Sequence, residues 1–315
     1  MKKIPIIIDC DPGVDDSYAL ALANSHEGFE ILAITAVEGN LPASVTRRNA
    51  LCIREELGIN CRIGYGAEMP LKKEYTRGAA SVHGASGVGT FVFDEPKLAP
   101  DEMPAWEIIY DEAVKHKGEM ILFAVGPLTN IAICLEKHPD LPQLLKRFVI
   151  MGGGTFGNVS STNKTAEFNI WVDPHAAKYV FEKMDVWMVG LNVTHAAAVE
   201  MTDFDEMVEI CGNVKNARFI RELSTFSKKN CMETGADNNV IHDAVAIACV
   251  MDETVVGFED HYVFVEDGDC DNIGQTVIDF EKKSGKAPNC HVAMKVDQKK
   301  FVNIIKDMCR HYAQK

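Results

Sequence analysis

The sequence predicts an α/β fold: a single doubly wound domain over residues 1–315, with a mainly parallel (mixed) central sheet and its site at the C-terminal ends of the strands. Three observations carry that prediction. Short runs over residues 4–8, 29–37, 120–125 and 148–151 are mostly apolar rather than alternating, as strands buried on both faces are. Stretches of helical spacing separate them, so strand and helix alternate along the chain. Each run also ends in a turn signal (Pro12-Gly13, Gly39, Gly126-Pro127, Gly152-Gly153-Gly154), which puts loops where open α/β sheets of the Rossmann-like kind build their sites.

In chain order, the first strand carries Pro5 near its start and runs into Asp9, Asp11, Asp15 and Asp16. Asp15 and Asp16 precede the apolar SYALALA and so fall in the first turn of a helix, where negative charge suits the helix dipole. The second strand, 29–37, ends at Glu38-Gly39-Asn40; a helix over 44–57 and a short strand over 61–65 follow. Residues 66–100 are rich in Gly, Ala, Ser and Pro and read as a long irregular segment of the kind often used for function. Within it His83 stands among small residues, by residue type alone a solvated loop histidine. A helix over 104–117, the strand 120–125, a helix over 131–137 and the strand 148–151 continue the alternation. Asp173-Pro174 opens another helix, 187–193 reads as strand, and 202–228 as one charge-rich helical stretch. The polar loop 233–239 leads to Ile241-His242-Asp243 and an apolar helix over 244–250. Short strands over 262–265, 276–280 and 290–294 and a terminal helix over 298–312 predict a β-rich close. No repeat or linker divides the chain.

With 47% hydrophobic and 25% charged residues, the 315-residue chain is a globular protein large enough to bury a core. A formal net charge of −14 argues against nucleic acid or an anionic membrane as main partner, because an acidic surface repels both. Ten scattered cysteines without a CxxC pair argue against a disulfide scaffold or structural zinc; Cys10, Cys134 and Cys249 sit in apolar runs as buried thiols. Met1-Lys2-Lys3 precedes too short an apolar run for a signal peptide, and no stretch approaches the roughly 18 apolar residues of a membrane span, so a cytoplasmic location is expected.

Four carboxylates at one strand end repel one another, and the remedies are protonation of some or a hard cation such as Ca²⁺ or Mg²⁺ held through oxygen. Four acids favour the cation, whereas one alone would serve as a helix cap. An oxygen-only cluster without nearby Cys or His pairs also disfavours zinc. A D-x-D pair after an apolar strand opens haloacid-dehalogenase-like phosphatases as well, with the first Asp as nucleophile. That alternative needs a Ser or Thr at a second strand end and a phosphate-holding Lys, and it leaves Asp15, Asp16 and Asp243 superfluous.

DCDPGVDD, followed by the Glu38-Gly39-Asn40 region, VHG at Val82, AVGPLTN at Ala124, MGGG at Met151, AEFN at Ala166 and IHDA at Ile241, resembles the inosine-uridine-type nucleoside hydrolases over most of the chain. The resemblance implies calcium-dependent hydrolysis of the N-glycosidic bond of ribonucleosides, purine, pyrimidine or modified, to free base and ribose in nucleoside salvage. It implies that Asp11, Asp16 and Asp243 hold Ca²⁺ with the backbone carbonyl of Val125, Asp11 being also the base that activates the attacking water. By the same matching, Asp15, Asn40, Asn158, Glu167 and Asn169 hold the ribose hydroxyls, His83 sits near the base or the 5′ side of the sugar, and His242 protonates the leaving base. Orienting Asp243 is the other role open to His242. Asn163 competes with Asn158, because SSTNKT lengthens the spacing to Glu167, and Ala244 stands where the family usually has proline. The substrate is then a neutral small molecule that an acidic protein does not repel, and a homodimer or homotetramer is expected. A non-catalytic, calcium-bound nucleoside-binding protein would keep the ligands but lose the base, and Asp11 is present.

Overall fold

The computed structural model describes residues 2–72, 83–84, 86–157 and 165–315. Its first strand, β1 (Ile4–Cys10), is followed by β2 (Phe29–Ala36), β3 (Arg62–Tyr65), β4 (Ile121–Ala124), β5 (Arg147–Met151) and β6 (Val186–Val189). Short β7 (Val199–Glu200) and β8 (Asn238–Asn239) precede β9 (Val256–His261), β10 (Val263–Val265), β11 (Thr276–Ile278) and β12 (Cys290–Val296). Among the described residues one eight-stranded sheet runs β3-β2-β1-β4-β5-β6-β12-β9. Every neighbouring pair in it is parallel except β12 with β9.

Side chains alternate across a strand, and here both faces are covered. Ile6, Ile8 and Cys10 pack with Tyr18, Leu20 and Leu22 of the helix Val14–Ser25, while Ile7 packs on the other side with Ile108 and Ile131 of the helices Ala105–Lys115 and Thr129–Lys137. Each of these isoleucines is fully buried, a contribution of about 1.5–3 kcal/mol apiece. That burial explains why β1 reads as a continuous apolar run.

The chain moves from β1 outward through β2 and β3, then returns to β4 on the other side of β1. At such a reversal the loops leaving the two strands diverge and open a crevice. Asp11 follows β1 and Val125 follows β4, so the fold sets them on the two sides of that crevice.

Several expected elements differ in extent. The strand expected over 187–193 stops at Val189, and the chain turns at Gly190 into the short helix Leu191–Thr194. Gly190 approaches the loop after β5 so closely that a Cβ would lie 2.6 Å from the Cα of Gly154, and Leu191 N–H bonds Gly153 O at 2.9 Å. The helical stretch 202–228 is two helices, Met201–Cys211 and Arg218–Thr234, broken where Gly212 takes φ of 52°. The β-rich close is not a separate layer: β12 returns to the main sheet beside β6, while β10 pairs with β11 in a small sheet apart, as β7 does with β8.

Candidate active site

Asp11-Pro12-Gly13 turns the chain from β1 into the helix Val14–Ser25, and Asp16 holds that turn from inside the helix. Its Oδ1 accepts from Asp11 N–H at 3.1 Å and its Oδ2 from Gly13 N–H at 2.8 Å. Asp16 thus performs the capping role available to it and still faces its acidic neighbours. One oxygen each of Asp15, Asp16 and Asp243 come within 4.8 Å of one another. Asp243 reaches them from the first turn of the helix His242–Met251, which begins two residues before the expected start at 244. Asp11 lies beside this trio. Its Oδ2 accepts from Asn40 N–H at 2.6 Å, and its Oδ1 is buried with no hydrogen-bond partner among the described residues. The loops fit closely around Asp11: a Cβ on Gly39 would stand 2.1 Å from Oδ2, and one on Gly126 2.6 Å from Oδ1.

Asp9, expected among the converging acids, does not join them. It lies within β1, fully buried, where its Oδ1 accepts from Thr35 Oγ1 at 2.5 Å and Asn130 Nδ2 at 2.8 Å. Alternation by itself would put Asp9 and Asp11 on one face; they part because β1 ends at Cys10 and Asp11 turns away with the loop that follows, and burial raises the Asp9 pKa to about 7.

The remaining sequence-predicted residues divide by what they already bond. Asn40 lines the cavity and braces the acids, its Nδ2 lying 3.2 Å from Asp11 O and 3.3 Å from Asp16 Oδ2. Glu167 caps the helix Phe168–Val172: Oε1 accepts from Asn169 N–H at 2.9 Å, and Oε2 from Gly153 N–H at 3.0 Å and Ile170 N–H at 3.2 Å. Burial nevertheless raises Glu167 to about 7, against the lowering effect of those N–H groups. Asn169 Nδ2 donates to Val125 O at 2.8 Å and Met151 O at 3.1 Å. The carbonyl expected to hold a cation therefore already has one lone pair engaged and one left. Asn158 and its competitor Asn163 lie outside the described residues.

His83 is not a solvated loop side chain. It is buried, its Nδ1 accepts from Val14 N–H at 3.1 Å, and Asp15 Oδ1 stands 3.6 Å away. Gly13 permits this, since a Cβ there would lie 2.6 Å from His83 Nδ1. His242 opens its helix with Nδ1 2.9 Å from Thr194 Oγ1, and burial drives its pKa down to about 4. Burial lowers His83 as well, the charge of Asp15 opposing it.

Asp15, Asn40, His83, Val125, Glu167, Asn169, His242 and Asp243 line one cavity of about 230 Å³ with Val14, Tyr18, Met151, Phe168, Phe226, Asn230 and Asn239. Phe226 and Asn230, one helical turn apart on Arg218–Thr234, were not singled out from the sequence. The i, i+4 pairing of an aromatic with an amide was visible, but a helix face gives no sign of what it faces. Phe168, beside Asn169 in the chain, also reaches the cavity.

The acids' environment fits a hard cation. Burial first, and then the charges of Asp16 on Asp11 and of Asp15 on Asp16 and Asp243, raise the pKa values of Asp11, Asp16 and Asp243. No lysine or arginine lines the cavity among the described residues, so no protein cation offsets them there. Carboxylates, a carbonyl and the orphaned Oδ1 atoms of Asp11 and Asp15 form an oxygen-only donor set suited to Ca²⁺. The same lack of cations leaves a phosphate without a partner, against the phosphatase alternative.

The profile of the inosine-uridine preferring nucleoside hydrolases matches residues 6–303. Pyrimidine-specific ribonucleoside hydrolase RihA of Escherichia coli is 33% identical over 313 residues, covering 98% of this chain and 99% of that protein. Its counterpart in Salmonella typhimurium is 35% identical over 314 residues, with the same coverage. Among solved structures, a purine-preferring ribonucleoside hydrolase from Gardnerella vaginalis superposes with a TM-score of 0.89 at 25% identity, over 98% of this chain and 99% of the other. An inosine-guanosine nucleoside hydrolase superposes with a TM-score of 0.85 at 28% identity, over 96% and 98%. With the family profile matched over residues 6–303 and relatives above 30% identity over nearly the whole chain, the chain belongs to the inosine-uridine preferring nucleoside hydrolase family and is an N-glycosyl hydrolase.

Proposed function

We propose that this single-domain protein hydrolyses the N-glycosidic bond of ribonucleosides with Ca²⁺ as cofactor, releasing free base and ribose for nucleoside salvage. The observation that carries the reading is the oxygen-only acid cluster at the β1/β4 crevice, opening into a cavity that His83, His242 and aromatic side chains also line. Asp11, Asp16, Asp243 and the free lone pair of Val125 O would hold the ion. When bound, Ca²⁺ supplies positive charge beside the attacking water and the sugar hydroxyls.

The protein groups then divide the work. Asp11 Oδ1, without a hydrogen-bond partner among the described residues, takes the proton of the water that attacks C1′. Asp15, Asn40 and Asn169 align the ribose hydroxyls, and Glu167 acts on the same edge while holding the loop that carries Asn169. Charge develops on the sugar ring in an oxocarbenium-like state, and these hydrogen bonds strengthen with it. His242 faces the departing base. With its pKa held near 4 and its position at a helix N-terminus, it is neutral at pH 7 and acts through an N–H rather than as an imidazolium.

The base preference is open to both classes, since the relatives named above include pyrimidine-specific and purine-preferring enzymes. The pyrimidine-specific relatives are the more similar in sequence, which makes uridine and cytidine the first substrates to assay. Released ribose would be measured over a nucleoside panel, with and without exhaustive chelation. Hydrolysis that is lost on chelation and restored by Ca²⁺ supports the proposal, together with a lower melting temperature of the chelated protein. Full activity after chelation, or no ribose from any nucleoside, overturns it.

A further inference from the structure

His242 is held from behind by Thr194, a residue that neither the sequence motifs nor the cavity lining picks out. The Thr194 side chain is fully buried at the end of the short helix Leu191–Thr194, and its single hydroxyl proton has two acceptors within reach. Leu191 O lies 3.4 Å away and His242 Nδ1 2.9 Å away. A 2.9 Å contact fits either direction between Oγ1 and Nδ1, but the carbonyl at 3.4 Å is the longer and weaker acceptor, so the buried hydroxyl proton is better satisfied by donation to Nδ1. A hydroxyl that donates to Nδ1 requires that nitrogen to be an unprotonated acceptor. The ring proton then belongs to Nε2.

Resting on the reading that His242 faces the leaving base, we propose that Thr194 is a positioning residue: its hydroxyl fixes His242 as the Nε2–H tautomer and so aims a hydrogen-bond donor at the departing nitrogen base. His83 is locked in the same sense, its Nδ1 occupied by Val14 N–H. The opposite tautomer of His242 would turn a lone pair toward the base and repel the electron density that accumulates there as the bond breaks. The neighbouring His195 ring, with centroids 5.5 Å apart and an interplanar angle of 65°, meets His242 edge-on and limits its tilt.

The test pairs a spectroscopic reading with a kinetic one. In protein labelled with ¹⁵N-histidine, and with His242→Gln to assign the resonance, His242 should show an unprotonated Nδ1 and a protonated Nε2, its Nδ1 signal moving in Thr194→Val and returning in Thr194→Ser. A protonated Nδ1 in the unmodified protein overturns the proposal whatever the kinetics. Thr194→Val should lower kcat for uridine or inosine roughly tenfold with KM little changed, the size of one lost directed hydrogen bond. On p-nitrophenyl riboside, whose leaving group needs no donor, the loss should be under about twofold, and Thr194→Ser should restore the nucleoside rate. Equal losses on both substrates, or none on either, also overturn it. His242→Ala tests the underlying reading separately: if it slows both substrates alike, the leaving-group role of His242 fails, while the nitrogen spectrum still decides what Thr194 does.

Discussion

Replacing Asp11 by asparagine separates the proposed base from the frame around it, because the two carboxylate oxygens are unlike. Oδ2 accepts from Asn40 N–H at 2.6 Å, whereas Oδ1 is buried without a hydrogen-bond partner among the described residues. An amide must choose which way to face. With NH2 toward Asn40, donor would meet donor, and losing a hydrogen bond of this charged type costs about 1.5–3 kcal/mol, a preference of roughly 10- to 150-fold for the other orientation. The amide oxygen therefore stays with Asn40, and NH2 takes the place of Oδ1, the atom assigned to proton transfer and the cation. A base is lost, and a ligand is replaced by a donor that repels the ion. General base catalysis is worth about 10² to 10⁴, so turnover should fall by about a thousandfold or more, with less Ca²⁺ retained by the purified variant. Ribose release from uridine and inosine gives the rate, metal analysis of the same sample the calcium, and a melting curve the check on folding. Near-normal turnover in a folded variant would refute the assignment and move the base to Asp15, whose Oδ1 is likewise buried without a hydrogen bond among the described residues.

Gly126→Ala adds a Cβ 2.6 Å from Asp11 Oδ1 and 3.0 Å from Asp11 N, so the carboxylate must swing away; nucleoside turnover at saturating calcium should drop about tenfold or more, and an unchanged rate would mean that Oδ1 need not stand there. Glu167→Gln sets an NH2 against backbone N–H donors of Gly153 and Ile170 or of Asn169. Measured at pH 8, above the raised pKa of about 7, it should cost about 1.5–3 kcal/mol and lower the melting temperature by roughly 2–5 °C, whereas an unchanged melting curve would show that the carboxylate does not hold the loop.

Much of this protein is legible in the sequence because parallel strands buried on both faces leave a mark that needs no partner to be seen. Ile6, Ile7 and Ile8 are apolar in succession since helices cover both sides of β1, and the turn signals after β1, β2, β4 and β5 mark where loops leave the sheet. Local rules also placed Asp15 and Asp16 in a first helical turn. The extent of the irregular C-terminal elements was less legible. Residues 187–193 have strand composition throughout, but the approach of Gly190 to Gly154 turns the chain after Val189.

Tertiary structure alone decided which side chains share the site. Asp9 and Asp11 look alike in DCDPGVDD, yet one is committed to Thr35 and Asn130 inside the sheet and the other to the crevice. His83 reads as a surface residue until Gly13 admits its ring against Val14 N–H. Val125 offers a carbonyl whose second claimant, Asn169, lies 44 positions away. Thr194 meets His242 across 48 positions, and Phe226 with Asn230 closes the cavity from a helix that the sequence marks only as charged. The physical reason is common to all of them. Periodicity and turn chemistry act over a few residues and are written locally, whereas a hydrogen bond between distant segments depends on a strand order and a backbone approach that no local pattern encodes.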